Sequence, residues 1–208
     1  MNKARFIVAG TALAGLIALT GCASKSGSDS MPGMDHGQSP ASTATTSPSV
    51  ASTASDHNAA DTMFAQMMIP HHAQAVEMSD SILDKKDIPS AVTALAVQIK
   101  GAQAPEIEKM TAWLKGWNEP SMGSSSHSGH GMDGMVGDTE LQTLKDAQGT
   151  EAARLYLTQM IAHHEGAVTM AKTEISQGKS PEAVQLAKDI VAAQEKEIQD
   201  MKALLAGL

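Results

Sequence analysis

Apolar residues recur every three or four positions along most of the chain after residue 57, which is the spacing of amphipathic helices. The pattern predicts long helices over 57–84, 89–115, 150–177 and 180–205, with a short helix over 139–147 before the third. Pro70 and Pro105 fall inside two predicted helices, so we expect a kink or a break at each. Gly178 suits a left-handed C-terminal position after the helix that precedes it.

The predicted helices form an internal repeat. The segment Met68-Ile-Pro-His-His-Ala-Gln-Ala-Val-Glu-Met78 matches Met160-Ile-Ala-His-His-Glu-Gly-Ala-Val-Thr-Met170 at an offset of 92 residues. The helix that follows each segment matches its counterpart at an offset of 91. Because neither two-helix half can bury its apolar face alone, we predict an all-α fold, a four-helix bundle built from two repeated helical hairpins.

The chain divides into three predicted regions. Residues 1–21 have a basic start and a short apolar run, which is typical of a secretion signal and too short for a transmembrane helix. Residues 22–56 are rich in Ser and Thr and poor in branched aliphatic residues, so we interpret them as a flexible tether. The helical domain is expected over 57–205, with repeat one at 57–115, a Met/His-rich loop at 116–137 and repeat two at 138–205.

The single cysteine, Cys22, ends the sequence Leu-Thr-Gly-Cys, which resembles the lipobox of bacterial lipoproteins. The resemblance implies cleavage before Cys22 and attachment of a diacylglycerol to its sulfur. The protein would then be exported and anchored by lipid to the cell membrane or the outer membrane, facing outside the cytoplasm. An ordinary signal peptide followed by an accidental cysteine is the alternative.

The composition excludes several functional classes. One cysteine rules out a disulfide framework, a Cys-based zinc site and a Cys-ligated iron–sulfur cluster. A net charge of −8 argues against nucleic acid as a partner. No nucleophile with an adjacent base is visible in the sequence, which favours a binding protein over an enzyme. The 14 methionines are the unusual feature, because they suit both soft-metal binding and adaptable core packing.

Helical geometry places polar residues on the apolar faces of the predicted helices. The adjacent histidines of each repeat flank the centre of such a face, with methionines one and two turns away. The candidate metal ligands are therefore His71, His72, His163, His164, Met68, Met78, Met160 and Met170. Further ligands or supporting residues on the stripes of the other two helices are Gln103, Glu106, Met110, Gln194, Glu197 and Met201.

A purely structural role for these residues is the alternative to metal binding. Core histidines can be hydrogen-bonded to Glu and Gln across a bundle, and Met is common as a core filler. A buried carboxylate that has no partner costs several kcal/mol or takes up a proton. Each of the two inward carboxylates is expected opposite a His pair, so we expect the glutamates and histidines to be satisfied together.

Two glycine-rich patches contain further Met and His at short spacing. The first, Met31-Pro-Gly-Met34-Asp-His36, is similar to the Met/His-rich segments of periplasmic copper-resistance proteins. The second lies at 121–135. As auxiliary metal patches the two supply Met31, Met34, His36, Met122, His127, His130, Met132 and Met135.

The double His-His motif, each copy followed by a helix with the pattern Gln-x-x-Glu-Ile-x-x-Met, resembles the domain-of-unknown-function-305 family of secreted bacterial proteins. That family is placed in the ferritin-like superfamily, and some members are similar to periplasmic copper-binding proteins. The resemblance covers about 57–205 and implies two repeats of two helices. It also implies that Asp61 supports or ligates the metal, because Asp61 matches an acidic position often seen in the family, whereas Ala153 stands at the equivalent place in the second half.

Ligand softness favours copper. Thioether sulfur suits Cu(I), imidazole suits several metals, and a carboxylate-rich site suits iron or manganese. A di-iron bundle requires four inward carboxylates, but only Glu106 and Glu197 point inward. We therefore expect a lipid-anchored protein that sequesters Cu(I), or Cu(II), or hands it to other copper-handling proteins. A zinc carrier, a ferritin-like metal-dependent oxidoreductase that binds iron, and a metal-free helical scaffold are the alternatives.

Overall fold

The computed structural model describes residues 56–121 and 133–208, and these residues form five helices and no strand. The helices are α1 (Ala59–Leu83), α2 (Ser90–Trp117), α3 (Asp138–Asp146), α4 (Gly149–Gln177) and α5 (Pro181–Gly207). The predicted all-α bundle is confirmed, and each helix begins and ends within two residues of its predicted bounds. In the described ranges no helix is long and apolar enough to cross a membrane.

Two hairpins, α1–α2 and α4–α5, form the bundle, and α1 and α4 make the main interface between them. The short helix α3 lies across this interface and contacts both central helices. Lys145 of α3 donates to Glu77 of α1 at 2.7 Å, and Gln159 of α4 donates to the carbonyl of Glu140 at 2.9 Å. The helices that carry the His-His motifs are therefore the two central ones.

Pro70 and Pro105 both lie inside continuous helices, so the predicted break does not occur at either. A proline removes the amide that would bond the carbonyl four residues earlier, which leaves the carbonyls of Gln66 and Gly101 without that donor. Pro70 is half-buried and Pro105 is exposed, so water can reach the second site directly. Packing of the two hairpins outweighs the cost of two lost helical bonds.

The interior consists of two apolar clusters with a polar layer between them. The Tyr156 cluster contains Ala75, Met78, Ile82, Val92, Leu95, Ala96, Ile99, Leu144, Ala152, Ala153, Tyr156, Leu157, Met160, Ile198 and Met201. The Phe64 cluster contains Phe64, Ala65, Met68, Met110, Leu114, Ala167, Ala171, Leu186, Ala187 and Ile190. Polar residues lie between the two clusters along the four helices, and all of them except the partly exposed Glu106 are buried. This set, which we call the histidine layer, is His71, His72, Gln103, Glu106, His163, His164, Gln194 and Glu197.

Each apolar cluster takes one end of every long helix, which follows from the antiparallel packing of the repeats. Burial of such clusters supplies the main driving force for folding, at about 25 cal/mol for each Å² of apolar surface removed from water. The histidine layer interrupts that apolar interior at its middle. The chain therefore places a costly polar layer where an aliphatic layer would stabilise the bundle more.

Candidate metal centre

The four motif histidines meet where α1 packs against α4, and all four side chains are fully buried. The rings of His71 and His163 are in direct contact, with centroids 3.7 Å apart and planes tilted by 35°. The ring centroids of His163 and His164 are 6.3 Å apart. Thus the first histidine of each repeat contacts its counterpart at the centre of the bundle.

The second histidine of each pair faces a glutamate of its own hairpin. Nε2 of His72 lies 2.8 Å from Oε2 of Glu106, and Nε2 of His164 lies 2.9 Å from Oε2 of Glu197. The other oxygen of Glu197 accepts a hydrogen bond of 3.0 Å from Gln98, which links α2 to α5. The two predicted inward carboxylates are therefore ring partners of histidines in both repeats.

Residues 133–136, which we call the strap, lie over the histidine layer. The carbonyl oxygen of Asp133 is 3.3 Å from Nε2 of His71. Gln74 holds the other end of the strap, because its amide donates to the carbonyl of Val136 at 2.8 Å and its oxygen accepts from the Val136 amide at 2.8 Å. The end of the predicted Met/His-rich loop thus contacts the central histidine pair.

Two glycines make this close approach of strap and helix sterically feasible. A Cβ on Gly166, one turn beyond His163, would lie 1.9 Å from the backbone oxygen of Asp133. Gly134 has a φ of +83°, and a Cβ there would lie 2.6 Å from the carbonyl oxygen of Ala162. Only glycine fits at either position without moving a backbone.

Eight side-chain polar atoms of the histidine layer have no hydrogen-bond partner within the described residues. They are Nδ1 of His71, His72, His163 and His164, Nε2 of His163, both amide atoms of Gln103 and the oxygen of Gln194. The ring of His163 also lies near the carbonyl of His71, but not in ordinary hydrogen-bond geometry. Because each buried polar group without a partner costs about 1–3 kcal/mol, this concentration calls for an explanation beyond folding.

Burial keeps the central histidines neutral. It lowers the pKa of His71 to about 3, with a further contribution from the neighbouring His72. Burial, together with His71 and His164, also lowers the pKa of His163 well below its usual value. Neutral imidazole is the form that binds metal ions, so these rings need not lose a proton before they ligate.

The motif methionines divide between the two apolar clusters. Met68 and Met170 contact the Phe64 cluster, whereas Met78 and Met160 belong to the Tyr156 cluster. Met68 and Met160 precede the first histidine of their motifs by one helical turn. Met78 and Met170 follow it by seven residues, about 10 Å along the axis. Met110 and Met201 are fully buried in the Phe64 and Tyr156 clusters, respectively.

Across residues 56–121 and 133–208, no three His, Cys, Asp or Glu side chains converge closely enough to enclose a metal ion. The contact between the rings of His71 and His163 leaves no space between them for an ion. A site in the histidine layer therefore requires the rings to separate, and a thioether or an amide oxygen to complete it. The Nδ1 atoms that have no partner among the described residues and the thioether sulfurs of the motif methionines are chemically suited to a soft cation.

Asp61 does not lie in the histidine layer. Its carboxylate accepts from the backbone amides of Asn58 at 2.6 Å, Lys179 at 3.0 Å and Ser180 at 2.9 Å, so it joins the start of α1 to the start of α5. Asn58 in turn caps α1 and donates to the carbonyl of Gln177. This placement gives Asp61 a structural role, in contrast to the ligand or supporting role that the family resemblance implies.

Asp61 forms a buried carboxyl pair with Glu174, which sequence reasoning missed. Glu174 is 1% exposed, and its oxygens have no donor among the described residues but lie within hydrogen-bond reach of the Asp61 carboxylate. Burial, followed by this contact with Asp61, raises the pKa of Glu174 to about 8, so the two carboxyls share one proton. Burial also acts to raise the pKa of Asp61, but the hydrogen bonds from Glu174 and the backbone amides lower it overall.

The sequence signal that could have revealed this pair was Gly178. The residue was expected to adopt a left-handed conformation, but it is extended, with φ −65° and ψ 151°. A Cβ at Gly178 would lie 2.2 Å from Oε1 and 2.7 Å from the backbone oxygen of Glu174, so glycine is favoured there by close contacts with Glu174 rather than by a backbone angle.

Replacing Glu174 by Gln should remove part of the pH dependence of stability. A carboxyl whose pKa is raised by folding stabilises the fold fully below its unfolded pKa, near 4.5, and loses that contribution as the pH rises to about 8. Gln stays uncharged and can still donate to Asp61. The free energy of unfolding of Glu174→Gln relative to wild type, from urea titrations, should therefore increase by a few kcal/mol between pH 5 and pH 8.

The matched control for this prediction is Glu108→Gln, because Glu108 is an exposed glutamate of α2. The free energy of unfolding of Glu108→Gln relative to wild type should stay constant over the same pH range. A constant difference for Glu174→Gln as well would contradict the shared proton.

Several predicted residues lie outside the described residues. They are Cys22, Met31, Met34, His36, Met122, His127, His130 and Met132. Met135 is the one auxiliary patch residue that the structure describes. It is half-buried in the strap and lines a surface cleft of about 350 Å³ with Pro70, Gln74 and Glu77.

Fold and site together define an all-helical bundle with a histidine layer at the interface of two helical hairpins. The chain belongs to the family described as Domain of unknown function (DUF305), whose family model matches residues 61–205. A Streptomyces coelicolor DUF305 protein, described as secreted, has a similar crystal structure, with 38% identity and a TM-score of 0.66 over 71% of this chain and 93% of that one.

The protein CopM has the same fold. Its Cu(II)-bound form is 34% identical, with a TM-score of 0.62 over 71% of this chain and 96% of that chain. CopM structures also exist in Cu(I)-bound and Ag-bound forms. Among curated proteins, an uncharacterized protein of Acanthamoeba polyphaga mimivirus is 44% identical over 50 residues, and this match spans 33% of that protein and 24% of this chain.

Proposed function

We propose that this protein is an extracytoplasmic copper-binding lipoprotein, which sequesters Cu(I) or Cu(II) or delivers it to another copper-handling protein. The observation that carries the proposal is the set of fully buried motif histidines whose Nδ1 atoms have no partner among the residues that the structure describes. A stabilising core would not leave four such atoms unpaired, whereas a bound cation would pair with several of them at once.

The chemistry of the available donors supports copper over harder metals. Imidazole nitrogen and thioether sulfur are the neutral donors in and beside the histidine layer, and Met68 and Met160 lie one turn from its centre. The nearby carboxylates of Glu106 and Glu197 are engaged by histidine rings. This donor set suits Cu(I) best, with Cu(II) and zinc as weaker fits.

The comparisons support the same proposal at the level of the family. CopM, which shares the fold across 96% of its length, binds Cu(I), Cu(II) and Ag in its solved structures. The Streptomyces relative is described as secreted, which agrees with export of this chain through residues 1–21. The lipid anchor at Cys22 and a capture role for the Met/His patches are further parts of the proposal.

The test is a competition assay against a Cu(I) chelator, with elemental analysis, on residues 23–208, which are the expected exported chain without the lipidation residue Cys22. Wild type should retain tightly bound copper at a defined stoichiometry. A patch variant should retain the same tight site, because it changes to Ala only Met31, Met34, His36, Met122, His127, His130 and Met132. Loss of all tight binding in the patch variant would place the copper outside the bundle, and bound iron with oxygen consumption would favour an oxidoreductase.

A further inference from the structure

Three histidines of the layer have their Nε2 atoms occupied by oxygen acceptors. The partner of His71 is the carbonyl of Asp133, and the partners of His72 and His164 are the carboxylates of Glu106 and Glu197. A carbonyl and an ionised carboxylate only accept hydrogen bonds, so each ring carries its proton on Nε2. In the neutral form of each ring, which is the form that ligates a metal, the lone pair is then on Nδ1.

In each case the Nδ1 atom is fully buried and has no partner in the part of the chain that the structure describes. A histidine retained only for packing would gain stability from a donor at Nδ1, because an unsatisfied acceptor in the interior carries a cost. Instead, Nδ1 has no partner among the described residues in either His72 or His164, although the two histidine–glutamate pairs differ in their other contacts. Glu197 receives a second hydrogen bond from Gln98, and Glu106 is partly exposed.

Resting on the proposed function, we infer that Glu106 and Glu197 are positioning residues. Each holds its histidine as the Nε2–H tautomer and fixes the ring, so that Nδ1 is the atom presented to the metal. Carboxylates that accept from the outer nitrogen of a ligating histidine are a general feature of metal sites, where they orient the ring and raise its basicity. When Cu(I) binds, the Nδ1 lone pair forms the new bond, and the Nε2 proton stays in its hydrogen bond.

The first test is NMR of residues 23–208, the same chain without Cys22, with ¹⁵N-labelled histidine. Without metal, two-bond correlations should show His72 and His164 as Nε2–H tautomers. Titration with Ag(I), a closed-shell substitute for Cu(I), should then shift the Nδ1 resonances and leave the Nε2–H correlations in place. A shift at Nε2 with loss of its proton would overturn the inference, as would Nδ1–H tautomers in the metal-free protein.

The second test separates positioning from a structural role by substitution. Glu106→Leu and Glu197→Leu should each allow the proton of the facing histidine to move from Nε2 to Nδ1. Each should weaken Cu(I) binding by about 10- to 100-fold, the usual cost of losing such a partner. Glu106→Gln keeps an acceptor oxygen and should restore most of the affinity and the Nε2–H tautomer. Glu108→Leu, two residues along the same helix and exposed, should bind like wild type.

The outcomes distinguish this inference from the proposed function. Wild type that binds neither Cu(I) nor Ag(I) would refute both. Tight binding by wild type that is unchanged in the folded Glu106→Leu and Glu197→Leu variants would refute only the positioning role. Circular dichroism and the unfolding midpoint establish that each variant is folded. Loss of affinity in a folded variant whose histidine is no longer held as the Nε2–H tautomer supports the inference.

Discussion

The double variant His71→Leu/His163→Leu should lose tight copper binding while its bundle stays folded. The two rings contact each other at the centre of the histidine layer, and the Nδ1 atom of each has no partner within 56–121 and 133–208. Removing both ligands should cost more than the roughly 10- to 100-fold that loss of an outer partner costs. The measurement is the Cu(I) competition assay already described, with the patch variant as the matched comparison.

Stability gives this prediction a second readout. Leu has a volume close to that of His and no polar atom, so the substitution removes buried groups that have no partner. The unfolding midpoint of the double variant should equal or exceed that of wild type. Such an exchange of function for stability is typical of binding sites. Unchanged copper affinity together with a lower midpoint would instead identify the histidines as structural and place the copper elsewhere.

Replacing Gly166 by Ala should detach the strap from α4. The added Cβ would lie 1.9 Å from the carbonyl oxygen of Asp133 and 2.8 Å from Cα of Gly134. Both are backbone atoms and cannot rotate away as a flexible side chain would, so the strap or the helix must shift. We expect a loss of about 1–3 kcal/mol, the usual cost of overpacking, instead of the gain that Ala normally brings in a helix.

The readouts for Gly166→Ala are urea unfolding, hydrogen exchange of the Val136 amide, and the reactivity of His71 toward diethyl pyrocarbonate. Exchange and reactivity should both increase, because the Gln74 hydrogen bonds to Val136 and the Asp133 contact with His71 depend on the seated strap. Gly101→Ala is the matched control, since a Cβ there meets nothing within 4 Å. That control should stabilise by about 0.5–1 kcal/mol. The same gain in both variants, with unchanged exchange, would show that the strap does not rest on Gly166.

The arrangement of the methionines shows why helical periodicity alone could not define a ligand set. Spacing places Met68, Met78, Met160 and Met170 on inward faces, and all four are buried or half-buried. Periodicity assigns a face to each residue but not a depth along the bundle. The antiparallel packing of α1 on α4 sends two of them to each apolar cluster.

The sequence by itself determined the helices and the inward direction of the paired histidines. These follow from local spacing, because a helix converts residue number directly into angle. It also indicated that Glu106 and Glu197 would face the histidines, since each lies on the apolar stripe of its own helix. Helical continuity through Pro70 and Pro105 was not determined in this way, because tertiary packing outweighs a local penalty.

Only the tertiary structure decided which groups touch. The contact of His71 with His163, the strap over His71 and the proton shared by Asp61 and Glu174 each join residues far apart in the chain. Such contacts depend on the relative position of two hairpins, to which no local pattern is sensitive. Burial then changes the chemistry of the same side chains, because the low-dielectric interior keeps the central histidines neutral and Glu174 protonated.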